Sequence, residues 1–436
     1  MSEAAPVRPD PYAALRHTKF ARLVLGIFAL TLGVQIQGTV VGWQMYDLTH
    51  DPLALGLIGL AEALPALSTA LYAGHVADRH DRRRIVLVAL GVLLACSGSL
   101  WFLAGPWGGE LAALEDGGAS VTPGSSLRVR AIYAVIIVSG VARAFLQSAR
   151  QAMAAELVPR ALFKNAITWR TGAWQLASVL GPALGGLLYA VGGTRLAYAV
   201  DGALMAVAVA VIASIRHRSP PRAQLQEPVW ASVAGGVRFV TREPVILGAL
   251  TLDLFSVFFG GAVALLPIFA AEILHVGPTG LGLLRAAPAA GAVGMGIVLA
   301  RHHDFERTGH VLLWSVAGFG VCMIGFGLST SFLLSLAFLF ASGLLDMVSV
   351  VIRSTLLQSR TPEALLGRVS SVNQLFVGSS NEIGMFESGV TARWFGTAPS
   401  VVMGGVATLG VVALTALVVP TLRTLRRLHP EEQAGV

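Results

Sequence analysis

Ionisable side chains interrupt several long apolar stretches of this sequence. The residues concerned are Glu62, Arg143, Asp253, Asp346, Arg353, Glu382 and Glu387. An ionisable group costs at least a few kcal/mol to place inside a membrane, so groups that persist there usually serve a function. A carboxyl group among apolar side chains favours its protonated form. These residues therefore predict a proton-carrying site, or a site for a charged small molecule, within a membrane.

Two aspartates are the foremost candidates for the acid that carries protons or binds substrate. At about 1.5 Å of rise per residue, Asp346 and Asp253 lie near the middle of their stretches, as does Arg143. Asp346 and Arg353 are about two turns apart on one helix, which is too far for a direct pair. A fixed ion pair between helices, of Asp346 with Arg143 or with Arg353, is the alternative to a proton-carrying role.

The other acids are given less central positions. Glu382 and Glu387 are separated by roughly 140° around a helix, so only one can point straight into a central cavity. For each of them, a hydrogen-bonded packing role is the alternative. Glu62 and Arg285 have similar depths toward the outer side, and we expect them to meet there as an outer gate.

The composition requires membrane helices to carry these residues. The chain is 55% hydrophobic and 13% charged, with a mean hydropathy of +0.71, whereas soluble domains carry about 25% charged residues. The net charge of +7 does not indicate a nucleic-acid partner, because the basic residues stand in short connections between apolar stretches. Cys96 and Cys322 lie within apolar stretches and predict no disulfide.

Apolar segments of membrane-spanning length recur along the whole chain. They lie at about 20–47, 54–77, 85–104, 131–153, 167–192, 196–215, 244–272, 280–300, 310–328, 331–357, 368–395 and 399–421. Lys and Arg concentrate in the connections on the side of the N-terminus, which predicts that both termini are cytoplasmic. The predicted fold is therefore an all-α membrane protein with twelve transmembrane helices.

A long connection rich in Arg and Pro divides the spans into two sets of six. The predicted parts are a cytoplasmic segment 1–19, an N-terminal six-helix bundle 20–215, a cytoplasmic central loop 216–243, a C-terminal six-helix bundle 244–421 and a cytoplasmic tail 422–436. Two bundles of equal size are typical of transporters built from repeats.

The connection after the second span has the pattern G-x-x-x-D-R-x-x-R-R. Gly74 would let two helix backbones approach closely, and Asp78 would sit against the positive N-terminal end of another helix. Glu156, at the cytoplasmic end of span four, would receive an arginine and stabilise an outward-facing state. The arginines that could reach it are Arg79, Arg82 and Arg83. The alternative is that these arginines only set the topology.

This pattern resembles the signature between spans two and three of the major facilitator superfamily. Gly181-Pro182-Ala183-Leu184-Gly185-Gly186 is similar to the antiporter motif of the export branch of that superfamily, although Ala177 replaces the usual upstream glycine. The resemblance implies that Gly181, Pro182, Gly185 and Gly186 give span five a thin, kinkable surface between the two bundles.

Three further stretches resemble the subfamily of enterobactin and macrolide exporters. They are Trp43–Thr49, Gln147–Ala152 and Thr361–Val369. The resemblance implies a monomeric antiporter that exchanges protons for an amphiphilic small molecule, such as a siderophore or a drug, across the inner membrane of a bacterium. In the major facilitator fold, it also implies that the spans carrying Asp346, Asp253 and Arg143 line the central cavity. Span six is peripheral in that fold, which implies an interfacial position for Asp201.

Two other functions are open to such a chain. Uptake or facilitated diffusion of a small metabolite would use the acids to bind substrate, and a sensor would use the fold without transport. The sequence contains no phosphate-binding loop, no metal-ligand spacing and no nucleophile motif. We therefore expect no enzymatic activity, no catalytic residues, no cofactor and no metal. The expected partners are a small-molecule substrate, protons and the lipid bilayer.

Overall fold

The computed structural model describes residues 10–106, 126–216, 229–301 and 307–425. Within these ranges the chain is helical, with a few short 3-10 and π turns and no strand. The longer helices are α1 Thr18–Thr49, α2 Pro52–Arg79, α3 Arg82–Leu103, α4 Leu127–Glu156, α5 Phe163–Ala213, α6 Val229–Arg242, α7 Pro244–Phe259, α8 Gly277–Leu299, α9 Thr308–Leu328, α10 Phe332–Arg360, α11 Glu363–Phe395 and α12 Thr397–Val418.

Ten helical segments of the described ranges are long and apolar enough to cross a membrane. One of them is the 51-residue α5, whose length of about 75 Å allows two crossings of a hydrocarbon core of about 30 Å. α11 has 33 residues and adequate length, although its polar residues lower its hydropathy. The predicted all-α membrane fold is confirmed, and these lengths account for twelve crossings.

The two predicted spans 167–192 and 196–215 form the single helix α5, which reverses direction at Gly192 and Gly193. Gly193 has a φ of 66°, a backbone conformation that glycine adopts without steric cost. Both parts of α5 pack on α1, because Gly181 lies against Gln35 and the later Asp201 lies against Gly33. The turn at the glycine pair therefore replaces the connection that we expected there.

The predicted span 244–272 is broken rather than continuous. α7 ends at Phe259 and is followed by a 3-10 turn, Ala262–Leu265, and by a π turn, Phe269–Ile273. A Cβ atom on Gly261 would lie 2.7 Å from the Gly384 carbonyl oxygen, so α11 passes directly over the break. Such interruptions in membrane helices commonly occur near transport sites.

The predicted central loop 216–243 contains a helix, α6. Its residue Gly236 lies against Arg368 and Val372 of α11, and its Val240 is buried. The spacing of Gly236, Phe239 and Val240, which is typical of one helix face, accounts for this helix inside the connection.

The chain is arranged as α1–α5, here called the N half, and α7–α12, here called the C half. The halves meet through α2 with α11 and through α5 with α8. The shared contact is close, because Gly56 packs on Gly389 in the first pair and Gly186 packs on Gly282 in the second. These glycines lie near the start of α2, the end of α11 and the start of α8, and we call this end of the molecule the closed end.

Two polar contacts between the halves reinforce the closed end. The Tyr46 hydroxyl donates to Glu272 Oε1 at 2.7 Å. Arg393 Nη1 donates to Asp51 Oδ2 at 3.1 Å. Both contacts join α1 or the α1–α2 connection of the N half to the C half, so the two halves are held together by glycine packing and by side chains at the same end.

Substitution of Gly389 by Ala is expected to open the closed end. A Cβ atom on Gly389 would lie 2.7 Å from the Gly56 Cα atom and 2.8 Å from the Pro52 carbonyl oxygen, so α2 and α11 must separate. We expect a maleimide to modify Met385→Cys, which lies on Gly59 in this contact, several-fold faster in the Gly389→Ala protein. The matched control is Gly378→Ala on the same helix, where a Cβ atom would meet no described atom within 4 Å. Equal modification rates in the two proteins would contradict the expected opening.

Candidate functional site

An ion pair and a third charge occupy the boundary between the halves. Glu62 of α2 forms an ion pair with Arg143 of α4. Arg143 also interacts electrostatically with Glu382 of α11 in the C half and with Asp201 of α5 in the N half. One buried oxygen of Glu382, Oε2, has no hydrogen-bond partner among the described residues. The structure thus brings together three of the predicted site residues, and we call them the seam cluster.

The local packing explains why Glu62 meets Arg143. A Cβ atom on Gly140 would lie 2.7 Å from the Glu62 carbonyl oxygen, so α4 and α2 approach each other closely at this point. Arg143 follows Gly140 by one helical turn and therefore reaches the Glu62 side chain. The predicted outer gate between Glu62 and Arg285 was wrong, because Arg285 donates to the Gly38 carbonyl oxygen at 2.7 Å.

A small pocket lies inside the C half, between α7, α9 and α10. Its polar lining residues are Asp253, Ser256, Ser315, Asp346 and Ser349. Asp253 forms an ion pair with Arg353, and both side chains are less than a tenth exposed. The pocket thus contains Asp253, whose charge is balanced by Arg353, and Asp346, which has no such partner among the described residues.

Asp346 makes no hydrogen bond and no ion pair with any residue that the structure describes. The alternative that we considered, a fixed pair with Arg143 or with Arg353, was wrong because each arginine is occupied by another acid. The pocket around Asp346 includes Phe319 of α9, so the side chain faces the interior of the C half. A carboxyl group in such surroundings can change its protonation state without breaking an ion pair.

Glu387 lies on α11, roughly 140° around the helix from Glu382. Its side chain is partly buried and makes no hydrogen bond within the described ranges, whereas its carbonyl oxygen accepts one from Thr391 Oγ1 at 3.0 Å. The two glutamates therefore face different surroundings, and only Glu382 belongs to the seam cluster.

Asp201 occupies the interior of the N half rather than the membrane surface. The residue is fully buried, and its carboxylate interacts with the Ser97 side chain and electrostatically with Arg143. A Cβ atom on Gly33 would lie 2.8 Å from Asp201 Oδ1, so the carboxylate points at α1. The predicted interfacial position was wrong. Buried residues before and after it, Tyr198 and Met205, have helical spacing that places Asp201 on the packed face of α5.

The basic motif lies at the end of the molecule opposite the closed end. Arg82 forms an ion pair with Glu156 of α4, and Arg83 Nη2 donates to the Ala213 carbonyl oxygen at 2.6 Å. Arg79 is exposed. The arginines thus join the start of α3 to the ends of α4 and α5, all within the N half.

The two remaining residues of this motif are Gly74 and Asp78. The close helix approach that we expected at Gly74 is absent, because a Cβ atom there would meet no described atom within 4 Å. In this conformation no other backbone packs on that face of α2, so the glycine has open space beside it. The Asp78 side chain lies outside the part of the chain that the structure describes.

Replacement of Glu156 by Gln is expected to destabilise the N half. The change removes an acid that Arg82 contacts directly, and the Arg82 side chain is only 6% exposed. Breaking a buried ion pair costs about 3 kcal/mol or more. We therefore expect a lower melting temperature for the purified Glu156→Gln protein. The control is Glu363→Gln in the exposed first turn of α11, where a change within about 0.5 kcal/mol is expected. A melting temperature equal to that of the control would argue against a structural ion pair.

The glycine-rich motif of α5 packs on helices of both halves. Gly181 and Gly185 lie against α1, at Gln35 and Ile36 respectively, and Gly186 lies against Gly282 of α8. Pro182 stands inside α5 between these contacts. The motif therefore brings α5 close to α1 within the N half and close to the backbone of α8 in the C half.

Comparisons with known proteins give consistent results. The model of the family described as Major Facilitator Superfamily matches residues 23–385. The enterobactin exporter EntS of Shigella flexneri is 27% identical to the chain over 432 residues, which cover 96% of each protein. A bacterial homologue of the iron transporter ferroportin, solved in an inward-facing state, has a TM-score of 0.71 at 16% identity and covers 94% of this chain and 99% of its own. A bacterial homologue of the human lysosomal transporter Spinster has a TM-score of 0.69 at 13% identity, with coverages of 95% and 97%.

Proposed function

Because the chain belongs to the Major Facilitator Superfamily, we propose that this membrane transporter exports an amphiphilic small molecule in exchange for protons. The observation that carries the proposal is the position of the charged groups relative to the two halves. The seam cluster spans both halves, and a carboxylic acid without a partner, Asp346, lies in the pocket of the C half. Both positions are inside membrane-spanning helices, where ionisable groups typically serve transport.

Alternating access follows from the contacts between the halves. Glycine packing at Gly56 and Gly389 joins them at the closed end. Toward the other end, a Cβ atom on Gly74, Gly172 or Gly378 would meet no described atom within 4 Å. The excess of Lys and Arg at that other end supports a cytoplasmic location for it, by the positive-inside rule. We therefore assign this conformation as inward-facing, with both termini on the cytoplasmic side. The Arg82–Glu156 pair is formed in this conformation and lies within the N half, so it is not specific to the outward-facing state that we expected it to stabilise.

Protons and substrate would bias the two orientations in opposite directions. Protonation of Glu382 would weaken its attraction to Arg143 across the halves and so favour their separation at the closed end. Protonation of Asp346 would remove an unpaired charge from the C half. Substrate that binds the deprotonated transporter would favour the other orientation, and this competition couples the outward movement of substrate to the inward movement of protons.

The proposed substrate is a siderophore or a drug-like amphiphile. The support is the similarity over nearly the whole chain to a protein named enterobactin exporter. The motif Gly181–Gly186, which resembles that of antiporters, favours export over uptake. The same reasoning places the transporter in the cytoplasmic membrane of a bacterium.

Energised inside-out vesicles provide the test of this function. A catecholate siderophore, a macrolide and a lipophilic cation would each be added to vesicles with an acidic lumen, and the luminal pH would be followed. We expect one class of compound to trigger proton release from vesicles that contain the transporter and not from vesicles without it. Substrate entry without proton release would exclude antiport, and exit of substrate from the lumen would indicate uptake as the cellular direction.

A further inference from the structure

An arginine of the C half lies against the backbone of the N half, inside the membrane. Arg285 is in α8, about eight residues or about 12 Å from the start of that helix at the closed end. Its Nη1 atom donates to the carbonyl oxygen of Gly38 in α1 at 2.7 Å. The side chain is partly accessible rather than fully buried. A positive charge therefore lies on the boundary that a transported molecule must cross.

The charge of Arg285 is not balanced by any acid that the structure describes. Arg143 is balanced by Glu62, and Arg353 is balanced by Asp253. Arg285, in contrast, donates to the Gly38 carbonyl oxygen and has no electrostatic interaction with a carboxylate of the described residues. A cation without a counter-ion in a membrane is costly, and such residues usually mark the path of a substrate or ion.

The surface opposite the guanidinium is bare backbone. Cβ atoms built on Gly38 and Gly42 would lie 3.7 Å and 3.5 Å from the Arg285 nitrogens, so the guanidinium lies directly against this glycine face of α1. A guanidinium has five N–H donors arranged as a planar fork, which matches the two oxygens of a carboxylate or adjacent oxygens of similar spacing. One donor is used by Gly38, and the others are available for a ligand.

We propose that Arg285 binds an anionic oxygen group of the substrate, either a carboxylate or an acidic phenol. The proposal rests on the proposed function, because it requires a small molecule to pass between the halves. It restricts the proposed class of substrates to acidic amphiphiles, so lipophilic cations are not expected to be preferred substrates. The competing explanation is that Arg285 only fastens α8 to α1, as Arg393 fastens α11 to Asp51.

Equilibrium binding to the purified full-length protein distinguishes these explanations. The probes are benzoate, 2,3-dihydroxybenzamide and tetraphenylphosphonium, which offer a carboxylate, a catechol without carboxylate and a cation. We expect the Arg285→Gln protein to bind at least one of the two acidic probes about tenfold to a hundredfold more weakly, the loss typical of one charge-assisted pair. The probe that is lost identifies carboxylate or phenol as the recognised group, and tetraphenylphosphonium binding should be unchanged.

Matched variants keep the result interpretable. Arg393→Gln removes the other fastening contact and should alter the binding of all three probes to the same degree. An equal effect of Arg285→Gln on all probes, no effect, or failure of the unmodified protein to bind either acidic probe would overturn the proposal. If Arg285→Gln does not fold, Arg285→Lys keeps the charge without the fork, and we expect a several-fold loss restricted to the acidic probes. A loss shared by the cation, or none, would likewise overturn it.

These measurements do not depend on proton coupling. Binding is measured without a gradient, so a transporter that moves substrate without protons would fail the vesicle test and still give the expected result for Arg285→Gln.

Discussion

Replacement of Asp346 by Asn is expected to reduce export driven by a pH gradient at least tenfold, while exchange of substrate for substrate continues. Asp346 has no ion-pair partner in the described chain and lines a pocket with Ser315 and Ser349. The amide keeps the shape and the hydrogen-bonding capacity of the side chain but cannot carry a proton, so only the coupled step should fail. The two rates are measured in the same vesicles, with an imposed pH gradient and without one.

Two variants define the limits of this prediction. Asp346→Glu retains a titratable acid and should retain much of the coupled rate, whereas Glu363→Gln removes an exposed acid from the start of α11 and should change neither rate. Undiminished gradient-driven export by Asp346→Asn would remove this residue from the proton pathway. Loss of both rates would indicate a structural role instead.

The second large effect concerns stability. Asp253→Asn is expected to lower the free energy of unfolding by about 3–5 kcal/mol, because it leaves Arg353 charged and without its acid inside the C half. The two side chains are only 6% and 7% exposed, so solvent cannot compensate for the lost partner. The change should appear as a large drop in the melting temperature of the purified protein and in a lower yield of folded protein.

The double variant Asp253→Asn with Arg353→Gln tests whether the unpaired charge of Arg353 causes this loss of stability. A neutral pair of similar size removes the uncompensated charge, so more than half of the lost stability should return, as a double-mutant cycle would measure. If the double variant is as unstable as the sum of the single variants, the two residues do not depend on each other, and the ion pair does not explain the effect.

Hydrophobicity was sufficient to predict the fold class. Segments of about 20 apolar residues have few stable arrangements other than membrane helices, because each backbone polar group must be hydrogen-bonded within the segment. The resemblance to the major facilitator superfamily was confirmed by the match over residues 23–385. The break after Phe259 was missed because apolar residues continue through it, and only the pair Gly260 and Gly261 indicated it.

Partners of charged side chains were much harder to predict than the helices that carry them. Depth along a helix suggested that Glu62 meets Arg285, but depth alone does not give the rotation of a helix about its axis. Gly140 allows α2 and α4 to approach each other closely, and this approach brings Glu62 to Arg143 rather than to Arg285. Similarly, the buried position of Asp201 depends on the turn at Gly193, which brings the second part of α5 back onto α1.

The central claim is that substrate and protons move in opposite directions through one protein. The most direct measurement uses proteoliposomes that contain only the purified transporter, an acidic lumen and a catecholate siderophore added outside. The account predicts that the siderophore accumulates in the lumen while the luminal pH rises, and that Asp346→Asn abolishes both changes. Accumulation that is independent of the pH gradient and leaves the luminal pH unchanged would contradict it.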